Sequence, residues 1–126
     1  MKIIALLGST RAGVHLFQSL LDNHSEVSQL PGYFPFNKFW QTIEKESDSE
    51  IVVEKFIDDY EFFFDSRLNF LNRHYMLGDD KKGFYIVDKE KFKKSYIFLS
   101  KNKEKNMLNV LNNIHLAYSL SKGEDI

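Results

Sequence analysis

Ile3, Ile4, Ala5, Leu6 and Leu7 run without a polar break into Gly8-Ser9-Thr10-Arg11-Ala12-Gly13-Val14-His15. Beyond them Leu16, Phe17, Leu20 and Leu21 recur at helical spacing. No other stretch narrows the choice of fold so far. A short, wholly apolar run is how a strand buried on both faces of a parallel sheet reads, so the pattern predicts strand, loop and helix in that order. Gly8 permits the sharp turn out of the strand, where a side chain would resist positive φ. Gly13 opens the helix, which leaves the amides of Gly13, Val14, His15 and Leu16 without partners inside it. Those amides and the positive helix end favour an anion. Arg11, in mid-loop, offers a planar fork that grips a phosphate or sulfonate in two places.

The nucleotide-hydrolase form of such a loop, G-x-x-x-x-G-K-[ST], is matched in its glycines alone. Val14 stands where the lysine belongs and His15 where the magnesium-binding hydroxyl belongs, so the γ-phosphate and Mg²⁺ of ATP lose their usual anchors. The loop suits an anion and argues against ordinary ATP hydrolysis. The bland alternative is a strand-turn-helix with a chance pair of glycines.

The run from Gly8 to Gly32, G-S-T-R-A-G-V-H-L-F-Q-S-L-L-D-N-H-S-E-V-S-Q-L-P-G, resembles the start of a sulfotransferase that uses 3′-phosphoadenosine 5′-phosphosulfate (PAPS). The loop of that family typically reads Pro-(Lys/Arg)-Ser-Gly-Thr-Thr and is often followed by a helix ending in S-L-L-D-x-H-P-x-V. Arg11 and Gly13 match the loop, while Thr10, Ala12, Val14 and His15 replace its proline, serine and two threonines. Ser19, Leu20, Leu21, Asp22, His24 and Val27 match the helix and turn, with Ser25 in the proline's place. Leu30-Pro31-Gly32 resembles bacterial members of the same group. The similarity covers about the first third of the chain.

The resemblance implies that Ser9, Thr10, Arg11, Ala12, Gly13, Val14, His15 and Leu16 hold the phosphosulfate of PAPS, or the 3′,5′-adenosine diphosphate product. Arg11 would stabilise charge on the transferring group during in-line displacement at sulfur. His15 is a candidate donor or base, and no metal is called for. The family's threonine hydroxyls are lost at Val14, which cannot donate. The family's glutamate base, just beyond the second strand in several members, has no counterpart in Leu30-Pro31-Gly32-Tyr33-Phe34. Complete members are about twice as long and take a later arginine and serine to the 3′-phosphate, so the resemblance reads as an amino-terminal half or a shortened homologue. Sheet faces exposed by such shortening would favour a homo-oligomer.

With 126 residues the chain reads as one domain, and a net charge of −1 supplies no global field for nucleic acid or membrane. The absence of cysteine removes disulfides and thiolate chemistry and is compatible with a cytoplasmic location. Met1 to Leu7 is too short for a secretory signal, and no run reaches membrane-spanning length. Asn23-His24-Ser25 fits the glycosylation pattern, which is common by chance.

Further along, Asp22 to Ser25 reads as a turn and Val27 to Leu30 as a short second strand. Tyr33, Phe34, Phe36, Phe39 and Trp40 form either an acceptor-binding wall or a helix packed on the sheet, and aromatic burial favours the helix. Glu44 to Glu50 reads as a solvated loop and helix start. Val53, Phe56, Ile57, Tyr60, Phe63 and Phe64, then Leu68, Leu71 and Tyr75, carry a helical period that Asp65-Ser66 would break. Asp58, Asp59, Glu61 and Asp65 lack the alternation of a calcium loop and read as a solvated face. Phe84 to Val87 is a short apolar run. Asp88 caps a helix with Phe92, Tyr96 and Phe98 or Leu99, and Met107, Leu111, Ile114 and Tyr118 mark a last helix stopped by Gly123. Asn109, Asn112 and Asn113 are expected mostly on its polar face, and His115 at the border as a structural rather than catalytic residue. Lys89, Lys91, Lys93, Lys94, Lys101, Lys103 and Lys105 read as a solvated lysine face before a phosphate or nucleic-acid patch.

The expected fold is therefore α/β: a strand, P-loop and helix start of nucleoside-triphosphate-hydrolase type over 1–32, an incomplete parallel sheet, and a mainly helical 33–126 within a single domain. The expected function is transfer of sulfonate from PAPS to a hydroxyl or amine. A non-catalytic, helix-rich interaction module with a relic loop and a kinase-type nucleotide binder are the alternatives.

Overall fold

The computed structural model describes residues 20, 21, 24, 27–68 and 86–123. Among the described residues its bounded elements are the α-helices α1 (Phe36–Ile43), α2 (Ser49–Asp59), α3 (Lys89–Ser100) and α4 (Met107–Lys122), with 3₁₀ turns at Glu61–Phe63 and Ser66–Leu68. α4 packs along α3, and α3 on α2.

Each helix is bounded by local chemistry. α1 starts after Pro35, whose carbonyl receives the amides of Lys38 and Phe39 at 3.0 and 3.2 Å. Proline's missing N–H costs nothing at a helix start. Asp48 caps α2 by accepting from the Glu50 amide at 2.8 Å, and Asp88 caps α3 by accepting from Lys91 N at 3.0 Å. Asn106 does the same for α4 through the amide of Asn109 at 2.9 Å. Gly123 then ends α4 in the left-handed region, φ 84°, with its amide on Leu120 O, where a Cβ would be strained. The period through Val53 and Phe56 stops as an α-helix at Asp59, short of the expected break at Asp65-Ser66. There the chain tightens into the 3₁₀ turn Glu61–Phe63, and the adjacent Phe63 and Phe64 are both buried.

The expected α/β fold is overturned. Among the described residues there is no strand and no sheet; an isolated antiparallel bridge between Asp65 and Ile86 is the nearest approach to β structure. Val27 to Leu30 is irregular rather than a second strand. A strand needs a partner ladder for its N–H and C=O groups; the contacts described for this segment include Ser28 Oγ with Ser119 Oγ of α4 and Leu30 in the aromatic core. Leu30 alone enters the core. Phe84-Tyr85 lies outside the described residues, and in Ile86-Val87 the Val87 amide donates to Phe64 O at 2.8 Å. The expected first strand, Ile3–Leu7, also lies outside them. With no sheet here, the argument for an oligomer from exposed sheet faces loses its premise.

What fills the interior is aromatic. Phe56, completely buried on α2, has its ring centroid 5.2 to 6.1 Å from those of Phe34, Phe39, Tyr60, Phe63, Phe64 and Phe92. Most of these pairs are edge-on or tilted, the arrangements the ring quadrupole favours. Phe64 and Phe92 carry the cluster on to Tyr118 of α4, whose buried hydroxyl donates back to Phe63 O. Gly32 lies against the same rings: a Cβ there would sit 3.2 Å from Phe63 Cε1 and 3.3 Å from Phe62 Cε2.

Two outcomes follow for stability. Phe56→Ala is expected to cost about 3–5 kcal/mol by chemical denaturation. Phe98→Ala on α3, 73% exposed, is expected to stay within about 0.5 kcal/mol. Equal losses at the two positions would contradict a core centred on Phe56.

Candidate functional site

The expected anion-binding residues, Ser9, Thr10, Arg11, Ala12, Gly13, Val14, His15 and Leu16, lie outside the described residues, as does Gly8. The described chain touches that motif at its far end. Leu20 and Leu21 are helical, the His24 amide donates to Leu21 O at 3.2 Å, and the Val27 amide donates to His24 O at 3.1 Å. A helical stretch at Leu20-Leu21 giving way to a turn at His24 is the order expected there.

The other candidate groups of the sequence are placed by the fold. The aromatic run at Tyr33–Trp40 divides: Phe39 is core, Phe34, Phe36 and Trp40 pack against it, and Tyr33 is 76% exposed. Tyr33 apart, these rings belong to the interior, and among the described residues the helix among them packs against rings of α2 and the turn after it.

Of the candidate carboxylates, Asp59, Glu61 and Asp65 each pair with a different cation. Asp59 meets Lys55 at 2.9 Å, Glu61 meets Lys89 at 2.6 Å, and Asp65 meets Arg67 at 2.6 Å. Among the described residues no three His, Asp or Glu side chains lie close enough to hold a metal ion together. The lysine-rich segment is in part the counterpart of this acidic one. Lys93 lies between Glu50 and Glu54 of α2, at 2.8 and 2.7 Å, and Lys89 ties the start of α3 to the turn after α2. The two carboxylates raise the Lys93 pKa. Exposed pairs like these add little stability each, but their placement sets which face of α3 meets α2.

Asn113 departs from expectation most. It is only 2% exposed and lies on the packed side of α4, where Lys103 Nζ donates to its Oδ1 and its Nδ2 donates to Ser100 Oγ, both at 3.2 Å. Asn112 is half-buried, and its Oδ1 has no hydrogen-bond partner among the described residues. The sequence signals neither; asparagine between apolar helix positions reads as solvent-facing until a partner across the loop is known. His115 is half-buried, and burial lowers its pKa, which fits a structural side chain. Lys105 was also hidden from sequence reading. Its ammonium donates to the carbonyls of Ile43 and Glu46 at the end of α1 and lies 5.3 Å over the Trp40 ring.

No family model, curated protein or solved structure matches this chain. No helix among the described residues is long and apolar enough to cross a membrane.

Two pH effects are expected. His115 is depressed in the folded chain, so the unfolded chain binds the extra proton as pH falls below about 6.5. Stability should therefore be complete above that pH and decline below it, and His115→Gln should flatten that part of a urea-midpoint profile. Hydrogen bonds from the Arg67 side chain and amide hold the Asp65 carboxyl at about 2 rather than 3.8. Its stabilisation should be present above pH 3.8 and vanish as pH falls through about 2. A carboxyl NMR titration placing Asp65 at an ordinary value, or unchanged by Arg67→Ala, would contradict this.

Proposed function

We propose that this is a sulfotransferase-like protein whose Gly8–Leu16 segment binds the phosphosulfate of PAPS, and that it transfers sulfonate to a hydroxyl or amine. One observation carries the reading: Arg11 between two glycines, ahead of a helical period that closes in S-L-L-D-N-H. The helical state of Leu20-Leu21 and the turn at His24 support it. The chemistry is local: free amides at a helix start and one guanidinium bind an oxyanion whatever lies behind them, so the proposal needs no sheet. Arg11 would neutralise charge on the sulfonate in flight, and His15 would supply a ring N–H or a base. A cytoplasmic location accords with a chain that carries no cysteine.

A second reading, a non-catalytic helix-rich module with a relic loop, is favoured by one feature. The described residues form an aromatic core, and Glu50, Glu54, Asp59, Glu61 and Asp65 pair with lysines and an arginine. A kinase-type binder lacks any such support, since the lysine and hydroxyl it needs are replaced by Val14 and His15.

Calorimetry with 3′,5′-adenosine diphosphate on the whole chain distinguishes the readings. Saturable binding is expected, weakened about tenfold or more by Arg11→Ala, the loss of one charge-assisted bidentate contact. Tight binding of ATP-Mg²⁺ with none of 3′,5′-adenosine diphosphate would favour the kinase type. No nucleotide binding, with Arg11→Ala silent, would favour the module.

A further inference from the structure

Where the N-terminus of α2, the C-terminus of α3 and the first turns of α4 meet, there is a partly open pocket with Val52 and Val110 among its lining residues. Its free volume of about 30 Å³ suits one small ion and excludes an organic ligand of ordinary size. Lys103 and Lys105 both line it. Their partners set them apart from the other lysines whose bonds are known. Lys55, Lys89 and Lys93 each meet a carboxylate at 2.6 to 2.9 Å. Among the described residues Lys103 meets only the neutral Asn113 amide, and Lys105 only two backbone carbonyls and an indole ring.

Neutral dipoles solvate an ammonium but do not cancel its charge. Burial lowers the Lys105 pKa even with Glu46 and Glu44 pulling the other way. The acidic side chain lining the pocket, Glu104, is exposed, and the bond it makes is through its backbone carbonyl, to Asn109 Nδ2 at 2.8 Å. The Lys103 ammonium keeps two N–H groups after donating to Asn113. Lys103 is exposed, and the buried Asn113, which also donates to Ser100, tethers its ammonium at the pocket.

We infer that this pocket is a binding site for one small oxyanion, a phosphate or sulfate group, held by the ammonium groups of Lys103 and Lys105. It is independent of the segment around Arg11 and stands or falls without it. The group is either a free ion or the end of a phosphate ester whose organic part stays in solvent.

The test is an amide NMR titration of the whole labelled chain with inorganic phosphate, at ionic strength held constant with chloride. Saturable shifts are expected at residues 103–109. Lys103→Met should weaken binding about fivefold or more, and Glu104→Gln, which removes the opposing charge, should strengthen it about twofold. Arg11→Ala should leave this response unchanged, which separates its failure from that of the PAPS reading. O-phosphoserine binding as well as phosphate would point to an ester as the source, and phosphate alone to the free ion. Shifts no larger than chloride produces would overturn the inference. So would an unaltered affinity in a Lys103→Met chain that keeps its circular dichroism. Should that variant unfold, an unchanged affinity in Glu104→Gln would overturn it instead.

Discussion

Burial of the Phe56 ring is the interaction on which the described structure rests. A chain with twelve phenylalanines has few ways to hide them. Here α1, the turns after α2, and α3 each bring rings to one side chain of α2. Large rings meet at many angles, which lets short elements close a core that regular Leu-into-groove packing would build from longer helices. Among the described residues helix faces and rings fill the interior, and the irregular Val27 to Leu30 segment contributes Leu30 to it.

Electrostatics act on this core as alignment, not as its source of stability. Acidic α2 and lysine-rich α3 meet through Lys93, and Lys105 reaches across from the loop before α4 to the carbonyls of Ile43, which ends α1, and of Glu46 just after it. A cation at a helix C-terminus is favourable, and there it ties the last helical pair to the first helix. The same reach leaves Lys105 short of a carboxylate, so the device that closes the fold also charges a pocket.

What could be read in advance was what is local in sequence. Asp88 and Gly123 marked the start of α3 and the end of α4 because capping depends on a few adjacent residues. The period through Val53 and Phe56 announced α2 for the same reason. Val27 to Leu30 misled because Val27 and Leu30 around two polar residues do not say what Leu30 will be buried against. Asn113 misled because its burial depends on Ser100 and Lys103 across a loop. Lys89 and Lys93 read as a solvated face because their carboxylates lie far back in the chain. Of the candidate anion site, the spacing of Gly8, Arg11 and Gly13 could be read directly, and the described chain meets that motif only at Leu20-Leu21 and His24.

The described residues form a helical body defined by its rings, and the proposed function rests on the oxyanion segment Gly8–Leu16 read from the sequence. Its most direct test follows the amide protons of Gly13, Val14, His15 and Leu16 while 3′,5′-adenosine diphosphate is added to the whole chain. The account predicts that they move downfield together and saturate, as amides do on donating to an anion. Amides that stay in place while the nucleotide binds elsewhere, or a nucleotide that binds nowhere, would contradict it.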